Sequence, residues 1–155
     1  MSIANVFEIA GLGMSAQTIR LNTVASNMAN AQTLSGSEEA AYKAKYPVFM
    51  ARAAKSLKPT NADDSNRNGF FEVGESAVVG GGVLVSEIVE SGAPVEKRYM
   101  PDNPIADEQG YVYASNVNVV EEMADMISAS RSFQMNVEIA NTAKSMMQRL
   151  LTLGQ

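Results

Sequence analysis

The sequence contains no cysteine and no histidine among its 155 residues. Without cysteine there is no disulfide framework, no thiolate nucleophile and no cysteine-type zinc site. Without histidine there is no imidazole base, so Ser-His and Cys-His catalysis are excluded. No serine, lysine or carboxylate constellation takes their place, and we predict no enzyme, no cofactor and no small-molecule substrate.

The chain also lacks a long apolar run and an excess of basic charge. No stretch of about 18 apolar residues is present, so we expect no membrane-spanning helix. The formal net charge of −5 argues against non-specific binding to nucleic acid. The first residues contain no basic segment followed by a small-residue cleavage site, and we expect no cleaved secretory signal.

Proline is confined to the middle of the chain, where most of the glycine also lies. We therefore predict an α+β protein with an N-terminal helix in 1–36, a β- and turn-rich domain in 37–116 and a C-terminal helix in 117–155. The two end segments are expected to pair as a coiled-coil-like layer and to form one discontinuous domain, beside a small antiparallel β domain.

The N-terminal segment carries apolar residues at alternating spacings of four and three, which is typical of a coiled-coil seam. The seam positions are Ile3, Phe7, Ala10, Met14, Gln17, Leu21, Val24 and Met28. Asn5 followed by Glu8 predicts a helix N-cap, and Ser35-Gly36-Ser37 predicts the helix end. Small residues that would permit close helix approach are Gly11, Gly13, Ala16, Ala25 and Ala29.

The C-terminal segment repeats this alternation. Its seam positions are Val119, Met123, Met126, Ser130, Phe133, Val137, Ala140, Lys144, Met147 and Leu151. A second stripe widens the apolar face late in the helix and consists of Ile139, Ala143, Met146, Leu150 and Leu153. Asn118 predicts the N-cap. We assign the acidic Glu121, Glu122 and Asp125 to favourable interaction with the helix dipole, rather than to acid–base or metal chemistry.

Seam spacing alone leaves two arrangements open. The ends can form a helical hairpin within one chain, or they can pack on neighbouring molecules as well. Glycine inside the N-terminal helix costs about 1 kcal/mol per residue relative to alanine, so we expect packing rather than intrinsic propensity to hold this helix together.

In the middle segment, three short runs are predicted to be strands of a small antiparallel sheet. They are 82–89, 95–100 and 111–113, with a turn at 101–104 between the last two, and 46–49 is a short apolar segment before them. Asp64, Asn66, Asn68, Gly69 and Glu75 match the spacing of a calcium loop. Because helices are not expected on both sides of it, we favour a solvated Asx/Gly loop and predict no metal site. A monomeric calcium-binding interaction module using loop 64–75 is the alternative.

Two segments resemble the flagellar rod and hook axial proteins. The first is 21–31, whose signature residues are Leu21, Asn22, Ala25, Ser26, Asn27, Ala29 and Asn30. The second is a series of separated matches, most similar to the proximal-rod members of that family. It runs through Tyr99-x-Pro101-Asp102-x-Pro104, Ala106-Asp107-x-x-Gly110-Tyr111-Val112, Asn116-Val117, Glu122-Met123-x-Asp125-Met126, Ala129-x-Arg131, Asn136 and Leu151-x-Leu153-Gly154.

The resemblance covers residues 1–57 and about 82–155. Residues 58–81 resemble an insertion relative to shorter family members, and nothing carries over to them. The sequence also departs from the usual family pattern at Asn103, Ser115 and Phe133.

The resemblance implies a structural subunit of the flagellar basal body, in the proximal rod that crosses the periplasm. Such subunits are exported by the flagellar type III apparatus without a cleaved signal, and their ends become helical on assembly into a hollow, torque-transmitting shaft. The implied partners are copies of itself, the other rod proteins and the export-gate or MS-ring adaptor. The assembly contacts expected here are Phe7, Met14, Leu21, Val24, Met28, Met123, Met126, Phe133, Val137, Met147 and Leu151.

Overall fold

The computed structural model describes residues 3–52 and 81–153. In chain order the elements are α1 (Ile3–Asn30), β1 (Leu34–Ser35), β2 (Lys45–Arg52), β3 (Gly82–Glu90), β4 (Glu96–Tyr99), β5 (Tyr111–Ala114) and α2 (Val119–Leu153). The predicted α+β class, with two long terminal helices and a β middle, is confirmed. Loop 64–75 and most of the expected insertion 58–81 lie outside the described residues.

The helix ends differ in part from the prediction. α1 begins at Ile3, so Asn5 lies inside the helix and is not its N-cap. The helix ends at Asn30 rather than near Ser35. The Asn30 carbonyl accepts hydrogen bonds from both the N–H and the hydroxyl of Thr33, at 3.1 and 2.7 Å, in the turn that follows. The predicted N-cap of α2 is confirmed, since Asn118 Oδ1 accepts from the Val120 N–H at 3.1 Å.

The strands form two antiparallel sheets rather than one. In the first, β5 lies between β1 and β4, with Ala114 opposite both Leu34 and Glu96. In the second, β2 pairs with β3, and a β-bulge interrupts the register between Val48 and Phe49. The two-residue strand β1 was not predicted, since nothing in so short a segment marks it as a strand.

The turn at 107–110 and the start of β5 after it are fixed by Asp107. Its Oδ1 accepts from the N–H groups of Gln109 and Tyr111, at 2.9 and 2.8 Å. Gly110 has φ +82°, a left-handed conformation that favours glycine. The bond from the Tyr111 N–H is the main reason that the pKa of Asp107 is lowered. This turn brings β5 back to pair with β4.

α1 and α2 run antiparallel along each other, and the β2–β3 sheet lies along another side of α1. At one end of that sheet Arg52 pairs with Glu8 of α1 at 2.9 Å, and at the other Lys45 bonds to Asn27. No helix in the described part of the chain is both long and apolar enough to cross a membrane. α1 is therefore enclosed on two sides, whereas α2 contacts only α1 among the described elements.

Candidate assembly interface

The contact between α1 and α2 is built from small and polar residues. The buried positions of the two helices are Ala10, Gly13, Ala16, Thr23, Val24, Asn27, Glu122, Ala129 and Ala143. A Cβ on Gly13 would lie within 2.8 Å of the Asn136 side chain, so glycine is what allows the helices to approach here. Among the described helical side chains, Val24 is the only large apolar one in the buried set.

This contact follows a heptad spacing and keeps the predicted seam positions Ala10 and Val24, which are buried, but its other positions lie one residue before the predicted ones. On α2 the positions Glu122, Asn136 and Ala143 are spaced by multiples of seven. Glu122 bonds to Asn27, Asn136 lies close to Gly13, and Ala143 lines a groove together with Val6 of α1. The seam predicted from apolar residues instead included Met14, Met28, Met123, Val137 and Lys144, each directly after one of these positions. We call Val6, Gly13, Arg20 and Asn27 of α1, with Glu122, Ala129, Asn136 and Ala143 of α2, the polar seam.

Asn27 is the central polar residue of this seam. It is fully buried, and its amide makes four hydrogen bonds. Nδ2 donates to the Lys45 carbonyl at 2.8 Å and to Glu122 Oε1 at 2.9 Å. Oδ1 accepts from the Lys45 N–H at 2.9 Å and from the Tyr42 hydroxyl at 3.1 Å. One side chain thus joins α1, β2 and the first turn of α2, and all of its hydrogen-bonding capacity is used.

Glu122 is the partner of Asn27 on α2, and it is 2 % exposed. Its Oε2 is buried with no hydrogen-bond partner in the described structure. Burial raises the pKa of Glu122, with Asp125 and Glu121 adding to the increase, while the hydrogen bond from Asn27 and the charge of Arg20 act in the opposite direction. Glu122 was predicted to interact with the helix dipole, and its contact with Asn27 was not predicted.

A single ion pair within the described residues joins the two helices. Arg20 Nη2 lies 2.6 Å from Asp125 Oδ1. Gln17 Oε1, on the same face of α1, is buried without a partner among the described residues. The heptad spacing of Glu122, Ala129, Asn136 and Ala143 was the signal in the sequence that could have revealed this seam. These four positions contain fewer apolar residues than the neighbouring stripe, so a search for apolar residues selects the neighbouring stripe instead.

We call the surface of α2 that α1 leaves exposed its outer face, and this surface has the opposite character. Its exposed large apolar side chains are Val119, Val120, Met123, Ile127, Met135, Ile139, Met146, Met147, Leu150 and Leu151. Val120 is 74 % and Leu151 67 % exposed. Towards the C-terminal end of α2, Met135, Ile139 and Met146 line an apolar groove of about 440 Å³ whose other wall includes Val6 of α1.

The eleven expected assembly contacts divide by position. Met123, Met147 and Leu151 are exposed on α2. Val24 is buried within the chain, and the remaining seven are partly buried: Phe7, Met14, Leu21, Met28, Met126, Phe133 and Val137. The structure of one chain contains no neighbour, so their role between subunits stays a prediction.

The signature residues of 21–31 also divide. Asn27 is buried, and Leu21 and Asn30 are partly buried. Asn22, Ala25, Ser26 and Ala29 are exposed on α1, and Ser26 Oγ lies 3.2 Å from the Tyr42 hydroxyl. In the ranges 3–52 and 81–153, no cluster of three or more acidic residues is arranged to hold a metal ion.

Two antiparallel terminal helices beside a small β domain agree with the architecture that the resemblance to the flagellar axial proteins implies. Comparison with known families supports this class: residues 108–153 match the family model described as flagellar basal body rod FlgEFG protein C-terminal. The matched range contains the end of the β domain and all of α2.

Relatives that match this chain over its whole length identify the family more specifically. The flagellar basal-body rod proteins FlgC of Escherichia coli O6:H1 and Salmonella typhimurium are each 44 % identical to this chain over 155 residues, with all of both chains covered. The FlgC protein of Borreliella burgdorferi is 32 % identical over 160 residues, covering 100 % of this chain and 99 % of its own. The chain belongs to the FlgC family of flagellar basal-body rod proteins.

Proposed function

We propose that this chain is a structural subunit of the proximal rod of the bacterial flagellum. It assembles through its terminal helices into the hollow shaft that carries torque across the periplasm. The observation that carries the proposal is the division of its helices into a polar seam inside and a large apolar face outside. Family membership supports the same function, because the relatives are named as basal-body rod proteins.

The outer face of α2 is the main contact surface. Covering one large apolar side chain stabilises an interface by about 1.5–3 kcal/mol. Exposed apolar patches on a protein surface are typical of protein–protein contacts. Three of the expected contact residues, Met123, Met147 and Leu151, lie on it already exposed, so they need no rearrangement to meet a neighbour.

The partly buried contact residues have a second role in this proposal. Phe7, Met14, Leu21 and Met28 flank the polar seam of α1, and Met126, Phe133 and Val137 flank that of α2. They support the helix pair from its sides and become fully buried when neighbouring subunits cover it. Segments 1–36 and 117–155 then act as one discontinuous domain, with 37–116 beside it.

The partners we infer are other copies of this chain, the other rod proteins and the export-gate or MS-ring adaptor. The flagellar type III export apparatus delivers the chain. The role is mechanical: packed helices transmit torque, and the chain catalyses no reaction. Small exposed residues on α1, such as Ala25 and Ala29, allow a neighbouring helix to approach closely.

Matched substitutions on the outer face of α2 test this function. Leu151→Glu places a charge on the apolar face, whereas Gln148→Glu places the same charge on an exposed polar position one turn earlier. Met123→Glu and Ser128→Glu form a second matched pair near the start of α2. Because all four residues are exposed, we expect each variant to keep the helix content and thermal midpoint of the original chain.

Co-assembly with the other rod proteins, followed by sedimentation, gives the readout. We expect Leu151→Glu and Met123→Glu to abolish incorporation into sedimenting rods and both controls to retain it. If the apolar-face variants assemble as well as their controls, α2 does not contact neighbours through this face and the proposal fails.

A further inference from the structure

We propose that the C-terminal end of α2 docks onto the start of the C-terminal helix of the next rod subunit, so that subunits stack end to end along the shaft. This inference rests on the proposed function, because it names the part of a neighbouring subunit that one part of α2 contacts. It starts from the place where the contact between α1 and α2 ends.

The contact between the helices reaches the start of α1 before it reaches the end of α2. Near that start, Ala143 lines a groove together with Val6. Because the helices run antiparallel, Ile3, where α1 begins, lies level with Met146. α2 continues for about 10 Å beyond that level. We call this part, 147–153, the overhang, because no described residue of α1 lies beside it.

The overhang continues the face of α2 that α1 covers earlier in the helix. Leu150 follows Ala143 by one heptad, so it occupies the next position of the polar seam. Ala143 is 5 % exposed, whereas Leu150 is 59 % exposed. Met147 and Leu151, next to that position on the helix surface, are also exposed. An apolar stripe left in water in this way is typical of a contact with another molecule, and its position shows that the occupant lies in line with α1.

The charges near the overhang have one sign. C-terminal to Glu138 the sequence contains Lys144 and Arg149 and no acidic residue. Both bases are exposed, and neither forms an ion pair within the described residues. They offset the negative end of the helix dipole, and their exposed head groups remain available to an acidic partner. The overhang therefore fits a surface that combines apolar and acidic side chains.

The opposite end of the helix pair has this chemistry. Glu121 is exposed in the first turn of α2, and no basic residue precedes Arg131 in that helix. Val119, Val120 and Met123 beside it are exposed as well. A subunit stacked end to end on this chain would present such an end in line with α1. The acids of one helix start then meet the bases of the other helix end, and this complementarity sets the direction of stacking.

The occupant that we assign is the start of the C-terminal helix of another axial subunit. The family model that covers 108–153 carries the name FlgEFG, so we expect a C-terminal helix of this kind in several rod proteins. Contacts between the head of one subunit and the tail of the next produce open helical filaments when they do not close into rings. An end-to-end contact of this type is what an extended shaft requires.

The first experiment reverses one charge near the overhang. Arg149→Glu is compared with Arg131→Glu, which makes the same change at an exposed position earlier on α2. Each variant is co-assembled with the other rod proteins and sedimented, at about 0.05 M and about 0.5 M salt. The readout is the concentration of chain needed for half-maximal incorporation into rods.

We expect Arg149→Glu to raise that concentration by about tenfold or more at low salt, because a glutamate then faces the acidic helix start. The increase should be smaller at high salt, where exposed charges are screened, and Arg131→Glu should incorporate like the original chain. No effect of Arg149→Glu, an equal effect of Arg131→Glu, or an effect of the same size at both salt concentrations would overturn the inference.

The second experiment identifies the segment that contacts the overhang. The sequence has no cysteine, so Thr152→Cys provides a single attachment site for a photoreactive benzophenone. Thr152 is exposed, and its hydroxyl donates to the Arg149 carbonyl of the same helix. Asn141→Cys places the label at an exposed position before the overhang and is the control. Assembled rods are irradiated, and the linked peptides are identified by mass spectrometry.

We expect links from position 152 to the first turns of a C-terminal helix, which are 119–125 in this chain, and links from position 141 to other segments. Positions 121 and 152 lie about 46 Å apart along one helix, so a link between them in the rod joins two molecules. Links from position 152 to any other segment would overturn this inference. If Leu151→Glu blocks assembly while the links map elsewhere, only this inference fails; if Leu151→Glu assembles normally, the proposed function itself fails.

Discussion

The two long helices carry similar apolar stripes, but they differ in what covers them. α1 lies between α2 and the β2–β3 sheet, and none of its large apolar side chains within 5–30 is exposed. α2 contacts only α1 among the described elements, and its outer face leaves residues such as Val120 and Leu151 in solvent. The same sequence pattern therefore produces a covered helix at one end of the chain and an uncovered one at the other.

This difference shows that apolar periodicity identifies a helix without identifying its partner. Within the chain, close contacts of the two helices involve Gly13, Asn27 and Glu122, whereas most of their large apolar residues are partly buried or exposed. Close approach of the two helices requires small residues. Buried hydrogen bonds between the helices fix which residues face one another. The larger side chains beside the seam remain available for contacts with other molecules, and most of the exposed ones lie on α2.

The largest effect is expected for Asn27→Ala on α1, the covered helix. This variant tests whether hydrogen bonds of the seam hold the two helices together. It removes four hydrogen bonds and leaves the backbone of Lys45 and the carboxyl of Glu122 without their buried partner. We expect the helix pair to lose about 3 kcal/mol, since each unsatisfied buried group costs about 1–3 kcal/mol and part of the loss is relieved by water. Urea unfolding followed by circular dichroism at the helical band measures this change.

Asn22→Ala is the matched control for that experiment. Asn22 belongs to the same signature but is exposed, so its replacement should change stability by less than about 0.5 kcal/mol. Equal losses in the two variants would show that Asn27 does not organise the seam.

Much of the fold could be predicted because its signals are local. The helical ends, the run 82–89, the strand 111–113 and the Asn118 cap each depend on residues close together in sequence. β1 could not be predicted in this way. It consists of Leu34 and Ser35 held against Ala114 and Tyr113, so its pairing depends on a segment far along the chain.

The candidate site was predicted less well, for a related reason. Counting apolar residues selects Met14 and Met123, whereas the seam uses Gly13 and Glu122, one position earlier on each helix. A glycine or a buried acid contributes nothing to an apolar pattern. Its role in the helix contact can be recognised only when the residues of the facing helix are known. Asn27 was named from the family signature, but its partners Tyr42, Lys45 and Glu122 required the structure.

A second test compares two glycines of α1, Gly11 and Gly13, which the sequence alone does not distinguish. A Cβ added at Gly11 has open space around it, whereas one added at Gly13 comes within 2.8 Å of Asn136. We expect Gly11→Ala to stabilise the chain by about 1 kcal/mol through helix propensity. We expect Gly13→Ala to destabilise it by about 1 kcal/mol, because Asn136 must give up its 2.9 Å bond to the Ser132 carbonyl or the helices must move apart.

The double variant Gly13→Ala/Asn136→Ala sharpens this result. Removing the Asn136 amide makes room for the new Cβ, so the double variant should recover most of the stability lost in Gly13→Ala. Thermal midpoints of the three variants, compared with the original chain, provide the measurement. Stabilisation by both single glycine replacements would mean that close approach at Gly13 is not needed.

The smallest effect expected is that of the ion pair across the helices. Arg20 and Asp125 lie 2.6 Å apart, with 25 % and 41 % of their side chains exposed, so solvent screens much of their attraction. A double-mutant cycle with Arg20→Met and Asp125→Asn should give a coupling energy of about 0.5 kcal/mol, reduced further at about 1 M salt. The more exposed pair Arg52–Glu8, at 2.9 Å, serves as the reference and should couple more weakly. A coupling of about 2 kcal/mol that resists salt would show instead that charge, and not the Asn27 hydrogen bonds, fixes how the covered helix meets the uncovered one.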